Sequence, residues 1–214
     1  MAKKKINNTK SRKKIKKKVV GTVLELGERI KELEKEELKK NKIPSFKAVL
    51  SGEHVVSKDK KAIDLHGVSH FGEIKEKKVY YSLIESLYLL ERKKLNVYYK
   101  GKKLSFEKFF ELASELEPNF FTRFSVFKDI RNRGYIVKTA LKFGADFRVY
   151  DRGIKPGQDH AKWVLFPVYE TSNLTWHEFA AKNRVAHSTR KNLLIAIVDE
   201  EGDVTYYECR WTRP

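Results

Sequence analysis

Residues 143–170, FGADFRVYDRGIKPGQDHAKWVLFPVYE, constrain the fold of this chain more than any other stretch. Ala145, Phe147 and Val149 alternate with Asp146, Arg148 and Tyr150. That period of two is the mark of a strand buried on one face. Gly153, Pro156 and Gly157 then punctuate a loop, and WVLFPVY reads as a second strand. An exposed-looking Tyr150 at the end of one strand and His160 before the next can meet across the turn. They form a candidate acid–base pair, and equally the ordinary parts of a hairpin.

The flanking sequence alternates between helical and strand periods. Val23, Leu26, Ile30 and Leu33 recur at spacings of three and four, so residues 22–42 predict a helix that ends before Pro44. FKAVL, EHVVS and AIDLHG read as short strands and turns between Phe46 and Gly72. Residues 82–95 predict an amphipathic helix with Leu83, Leu87 and Leu90 on one face, and NVYYKG a strand. SFEKFFELASELEP predicts a helix capped by Ser105, with Pro118 just past its end. Beyond Pro118, FFTRFSVFKDIRNRGY predicts an aromatic-faced helix with Gly134 near its end, followed by an IVKTAL strand and the opening hairpin. A helix, or a loop and helix, over TWHEFAAKNRVAHSTRK and a hairpin over NLLIAIVDEEGDVTYYECRW complete the pattern. The expected fold class is α/β with mixed (α+β) sheets. Residues 1–45 are expected to form a basic, disordered arm and a short helix. Residues 46–117 then make a small N-terminal α/β domain for structure or assembly, and residues 118–214 a C-terminal α/β catalytic domain.

Charge points to the partner. The 214 residues carry a formal net charge of +18. Residues 1–18 supply ten of those charges and hold no acid, leaving eight on the other 196 residues. The arm is too charged and too poor in apolar residues to fold by itself, and it adds nonspecific affinity for phosphates. The body is still basic, and nucleic acid is the usual partner of such an excess. With one cysteine, Cys209, an internal disulfide framework and a cysteine-based metal site are excluded. No apolar run is long enough for a membrane helix, and the N-terminus lacks the apolar segment of a secretory signal. A cytoplasmic protein is expected, with no membrane partner.

Few residues offer chemistry. His66 and His70 stand four apart, as ligands on a helix would, but with no acidic third ligand beside them they read as loop or surface histidines. Phosphate-binding glycine loops are absent. Asp146, Asp151 and Asp159 could hold Mg²⁺, with Lys162 nearby, which is the metal-nuclease reading. A metal-free cut of a phosphodiester needs a base, an acid and a fixed cation for the charge that builds on phosphorus. His160 suits acid or base. A tyrosine serves as base only beside cations, for which Arg148 and Lys155 are candidates. Lys191, at the start of the NLLIAIV strand, is one candidate for the cation.

These residues carry a resemblance. RGYIVKTALKFGADFRVYDRG, HAKWVLFPVYE and NRVAHSTRKNLLIAIVDEEGDVTYYECRW are similar to the archaeal tRNA-splicing (tRNA-intron) endonucleases, and SLIESLYLLERKKLNVYYKGKKLSFEKFFELA looks like the N-terminal domain of that family. The resemblance covers about residues 46–214. It implies excision of introns from precursor tRNA at a bulge–helix–bulge, leaving 2′,3′-cyclic phosphate and 5′-hydroxyl ends without a metal or other cofactor. It implies Tyr150 as general base, His160 as general acid and Lys191 as transition-state stabiliser, with exchanged Tyr150 and His160 roles left open. It further implies that Arg184 and Trp211 sandwich a bulge base. The acidic loop of Asp199, Glu200, Glu201 and Asp203 would insert into a basic cleft of another subunit, giving a homotetramer or a heterotetramer with a related chain. A noncatalytic RNA-binding protein and a metal-dependent nuclease remain as alternatives.

Overall fold

Ser82 and Glu85 open the helix that organises the first half of the chain. Ser82 Oγ accepts from Glu85 N–H at 3.2 Å, and the Glu85 carboxylate accepts from Ser82 N–H at 3.1 Å. This reciprocal cap satisfies donors that a helix start leaves bare. The computed structural model describes residues 43–140 and 144–212; the arm over 1–18 and the helix expected over 22–42 lie outside the described residues.

In chain order the first sheet comprises β1 (Phe46–Ser51), β2 (His54–Ser57), β3 (Glu73–Lys75), β4 (Lys78–Ser82), β5 (Leu95–Tyr99) and β6 (Lys102–Lys103). Their spatial order is β3-β4-β2-β1-β5-β6, with β1 and β5 parallel and every other pair antiparallel. Three helices accompany it: α1 (Lys60–Ser69), α2 (Leu83–Glu91) and α3 (Phe106–Leu116). A fourth, α4 (Phe120–Asn132), leads into the second sheet. That sheet comprises β7 (Ile136–Thr139), β8 (Phe147–Tyr150), β9 (Trp163–Tyr169), β10 (Asn192–Val198) and β11 (Val204–Cys209), in the order β11-β10-β9-β8-β7. Only β9 and β10 are parallel, and α5 (Trp176–Ser188) makes the crossover between them. The mixed α/β class read from the sequence is the class observed.

Two readings need correction. AIDLHG lies inside α1 and forms no strand. Asp59 caps this helix by accepting from Lys61 N–H at 3.0 Å, and Ala62, Leu65 and Ser69 are its buried residues. Helix α2 is not amphipathic: every residue from Leu83 to Leu89 is buried, because strands lie against it on one side and α3 and α4 on the other.

One apolar core runs from the first sheet into the second. Phe46, Leu87 and Tyr88 belong to it together with Phe127, Phe147, Leu165 and Val198. A smaller cluster on the other side of the second sheet joins Val164, Phe166, Leu193 and Ile195 to Ala186 of α5. The second sheet is therefore covered on both faces. On β8 the alternation holds as expected, with Phe147 and Val149 buried in the main core. Arg148 and Tyr150 point to the α5 side, since Arg148 pairs in register with Val164.

Candidate functional site

Topology gathers the candidate residues at one end of the second sheet. Strand β8 runs antiparallel to β9, and β9 runs parallel to β10. The C-terminal end of β8 therefore meets the N-terminal ends of β9 and β10. Tyr150 ends β8, His160 lies three residues before β9, and Lys191 lies one residue before β10. All three line one cleft of about 370 Å³, together with Arg148, Gly157, Gln158, Asp159 and Ala161.

Local hydrogen bonds fix the frame of this cleft. Lys162 N–H donates to Val149 O at 2.9 Å and closes the loop between the strands. Inside the loop Ile154 N–H donates to Asp151 O and Gln158 N–H to Lys155 O, each at 3.0 Å. His160 is exposed, and its backbone N–H donates to Asp159 Oδ1 at 2.6 Å. Tyr150 is 5% exposed, against the exposed look of its sequence; its ring centroid lies 5.9 Å from the Arg148 guanidinium. Lys191 N–H donates to Ala186 O at 2.9 Å, and its Nζ donates to Thr189 O at 2.8 Å. Partial burial, and then repulsion from Arg148, hold the Lys191 ammonium below the ordinary lysine value. A cation held so close to another favours an anion between them.

The three aspartates of the metal reading are scattered. Asp146 forms a 2.9 Å ion pair with Arg123 and lines a different cleft, beside Lys138 and Glu85. Burial raises its carboxyl above the usual range, against the pull of Arg123 and Lys182. Asp151 pairs with Lys162 at 3.1 Å, and Asp159 holds the His160 amide. His66 and His70 stand ring to ring at 6.1 Å, with His66 Nδ1 2.8 Å from Phe71 O. Among the described residues neither set belongs to a group spaced to hold one metal ion.

A second groove, of about 690 Å³, lies between α5 and the end of β11. Arg184 and Trp211 both line it, with Asn183, His187, Cys209 and Arg210. Trp211 is 57% exposed, so its indole is not consumed by strand packing. It stands edge-on to the His187 ring, the centroids 5.0 Å apart. Sequence reasoning passed over His187; its three-residue step from Arg184 along one helix is the signal that points to it.

Residues 46–110 match the N-terminal domain of the tRNA intron endonucleases, and residues 120–206 match their catalytic C-terminal domain. A tRNA-splicing endonuclease of Thermococcus onnurineus is 45% identical over 165 residues, which cover 77% of this chain and 95% of the relative. The chain belongs to the tRNA intron endonuclease family. Relatives of the same name from Pyrococcus furiosus and Nanoarchaeum equitans are 42% and 46% identical, over 77% and 62% of this chain and 95% and 88% of their own lengths.

Seen as a tRNA intron endonuclease, the chain presents one more feature, at the turn between β10 and β11. Asp199, Glu201 and Asp203 bring carboxylate oxygens within 4.8 Å of one another. Asp203 N–H donates to Asp199 Oδ1 at 2.8 Å, and Glu200 N–H to Glu170 Oε1 at 3.1 Å. Gly202 has φ +87°, and a Cβ there would stand 3.4 Å from Phe121 Cζ of α4. That contact is ordinary, so the left-handed backbone is what asks for glycine at the tip. No helix among the described residues is long and apolar enough to cross a membrane.

Proposed function

We propose that this chain is a cytoplasmic, metal-independent RNA endonuclease that removes introns from precursor tRNA at bulge–helix–bulge motifs. The observation that carries this reading is the shared cleft of Tyr150, His160 and Lys191 at one end of the second sheet, in a chain of this family.

The chemistry follows from the groups present. The ribose 2′-hydroxyl at the cleavage point attacks phosphorus, and Tyr150 takes its proton. The phosphorus–O5′ bond breaks, and His160 gives a proton to the leaving oxygen. The products are a 2′,3′-cyclic phosphate and a 5′-hydroxyl, so no water enters the bond-breaking step. Lys191 sits against the charge that builds on the phosphorane oxygens. With Tyr150 and His160 in exchanged roles the bonds made and broken, and the products, are the same.

Arg184 and Trp211 provide the grip on an extruded bulge base. An exposed indole and a nearby guanidinium suit the two faces of a base. RNA read this way is recognised by shape and unstacked nucleotides. The basic arm over residues 1–18 adds affinity for phosphates of any sequence. Residues 46–117 serve assembly and residues 118–214 catalysis.

The crowded carboxylates of the turn repel one another, and a basic cleft on another subunit relieves that repulsion. Such insertion joins dimers into a homotetramer, or into a heterotetramer with a related chain.

Single-turnover cleavage by Tyr150→Phe, His160→Ala and Lys191→Ala tests the assignment. Each is expected to slow the chemical step by at least about 10²-fold while RNA binding holds. Wild-type rates in all three would end this reading.

A further inference from the structure

Arg148 is a charged group in the cleft that the acid, base and cation roles leave unused. It stands two residues before the end of β8, facing the same side as Tyr150 because the two are separated by one period of the strand. It lines the cleft with Tyr150, His160 and Lys191, and it lines the adjoining cleft with Lys138 and Asp146.

Its surroundings are those of a group waiting for an anion. Its Nε is buried without a hydrogen-bond partner. Asp146, which lines the adjoining cleft with it, is taken by Arg123 at 2.9 Å. Asp159, the carboxylate that lines the same cleft, is exposed and accepts the His160 backbone N–H. Among the described residues no carboxylate forms an ion pair with Arg148. A guanidinium keeps its charge at any ordinary pH, so a partly buried, unpaired one is costly unless a ligand completes it. Its positive neighbour is Lys191, whose ammonium it disfavours. Two cations held together with no carboxylate paired to Arg148 make a seat for a group with two anionic oxygens.

We propose that Arg148 is a second phosphate-binding residue of the catalytic cleft, donating its guanidinium N–H groups to a non-bridging oxygen of the scissile phosphate beside Lys191. This rests on the proposed function and deepens it. The two cations divide the work by shape. Lys191 is a compact point charge, whereas Arg148 offers a planar fork that can span one or two oxygens. The phosphorane carries more charge on those oxygens than the ground-state diester does, so the contact strengthens as the bond forms.

The test uses the full chain and a bulge–helix–bulge RNA with a single scissile phosphate, made with either non-bridging oxygen replaced by sulfur. Arg148→Met is expected to cut the single-turnover rate at saturating RNA by on the order of 10²-fold, with the half-saturating RNA concentration nearly unchanged. Sulfur at the oxygen Arg148 holds is expected to slow wild type and to lose that extra effect in Arg148→Met. Arg148→Lys, which keeps the charge without the fork, is expected to recover part of the rate, and it carries the sulfur comparison if the methionine variant does not fold. A wild-type rate in Arg148→Met overturns the inference. So does a slow variant in which both sulfur effects match wild type, because Arg148 would then act only through structure. If Lys191→Ala, Tyr150→Phe and His160→Ala all cut at wild-type rates, the proposed function itself falls and takes this inference with it. If they are slow while Arg148→Met is not, the inference alone falls.

Discussion

The Trp211 indole meets the His187 ring edge-on at a centroid distance of 5.0 Å, at the mouth of the groove that Arg184 also lines. The contact holds an exposed aromatic plane in a fixed attitude without burying it. Base–aromatic stacking lost by alanine substitution costs about 1–3 kcal/mol. Trp211→Ala is therefore expected to weaken binding of a bulge-containing RNA by roughly 5- to 150-fold. The single-turnover rate at saturating RNA should change little. Trp211→Phe should keep part of the affinity. Equal binding by wild type and Trp211→Ala, in a direct titration, would remove Trp211 from the recognition surface.

Glu85 anchors the first half. It is 7% exposed, accepts from Gly72 N–H at 3.0 Å and from Ser82, and stands 3.6 Å from Lys138 Nζ. Glu85→Ala leaves the partly buried Lys138 ammonium uncompensated and the Gly72 and Ser82 donors bare. A loss of about 3–5 kcal/mol in unfolding free energy is expected. Denaturant titration at neutral pH checks this, and a loss under 1 kcal/mol would show that water replaces the carboxylate.

His70 ends α1 in a left-handed conformation, φ 56°. Burial, then the charges of His66, Lys138, Lys155 and Arg131, hold its imidazole below the ordinary value. The unfolded chain therefore takes up the proton first as pH falls through about 6.5. Below that point the unfolded state gains stability relative to the fold; above it the difference vanishes. His70→Asn tolerates the left-handed backbone and cannot titrate. Its melting temperature is expected to fall less than wild type between pH 8 and pH 5. Parallel curves would assign the acid loss to other groups.

The turn carboxylates give an assembly prediction. Neutralising Asp199, Glu201 and Asp203 as Asn, Gln and Asn is expected to shift the protein to a smaller species in sedimentation velocity, and to lower cleavage in step with that shift. An unchanged sedimentation coefficient would mean that the loop does not hold subunits together.

How much of this was legible in the sequence depends on the range of the interactions. Local signals read through: the Ser105 cap, the period of two across Phe147–Val149, and the strand–helix–strand order around α5 each need only neighbouring residues, whereas Ala145 precedes the strand and joins the smaller cluster. Helix α1 did not, because Gly67 interrupts its interior and its buried positions, Ala62, Leu65 and Ser69, make too thin a stripe to betray a helical period. The burial of Tyr150 was hidden as well, since its strand lies inside the second sheet, between β7 and β9, on a face whose apolar cluster is built from residues far along the chain. The pairing of Asp146 with Arg123, which takes that carboxylate away from any metal, joins residues 23 positions apart and has no local signature. Tyr150, His160 and Lys191 stood out by residue type and resemblance. Their common cleft required the strand order.

A metal-free cut that uses the RNA's own 2′-hydroxyl is tested most directly by incubating the purified chain with end-labelled bulge–helix–bulge RNA in EDTA and identifying the product ends. Cuts in both bulges are expected, with 2′,3′-cyclic phosphate on one side of each and a 5′-hydroxyl on the other. Cleavage that appears only when magnesium is restored, with 5′-phosphate ends, would contradict it.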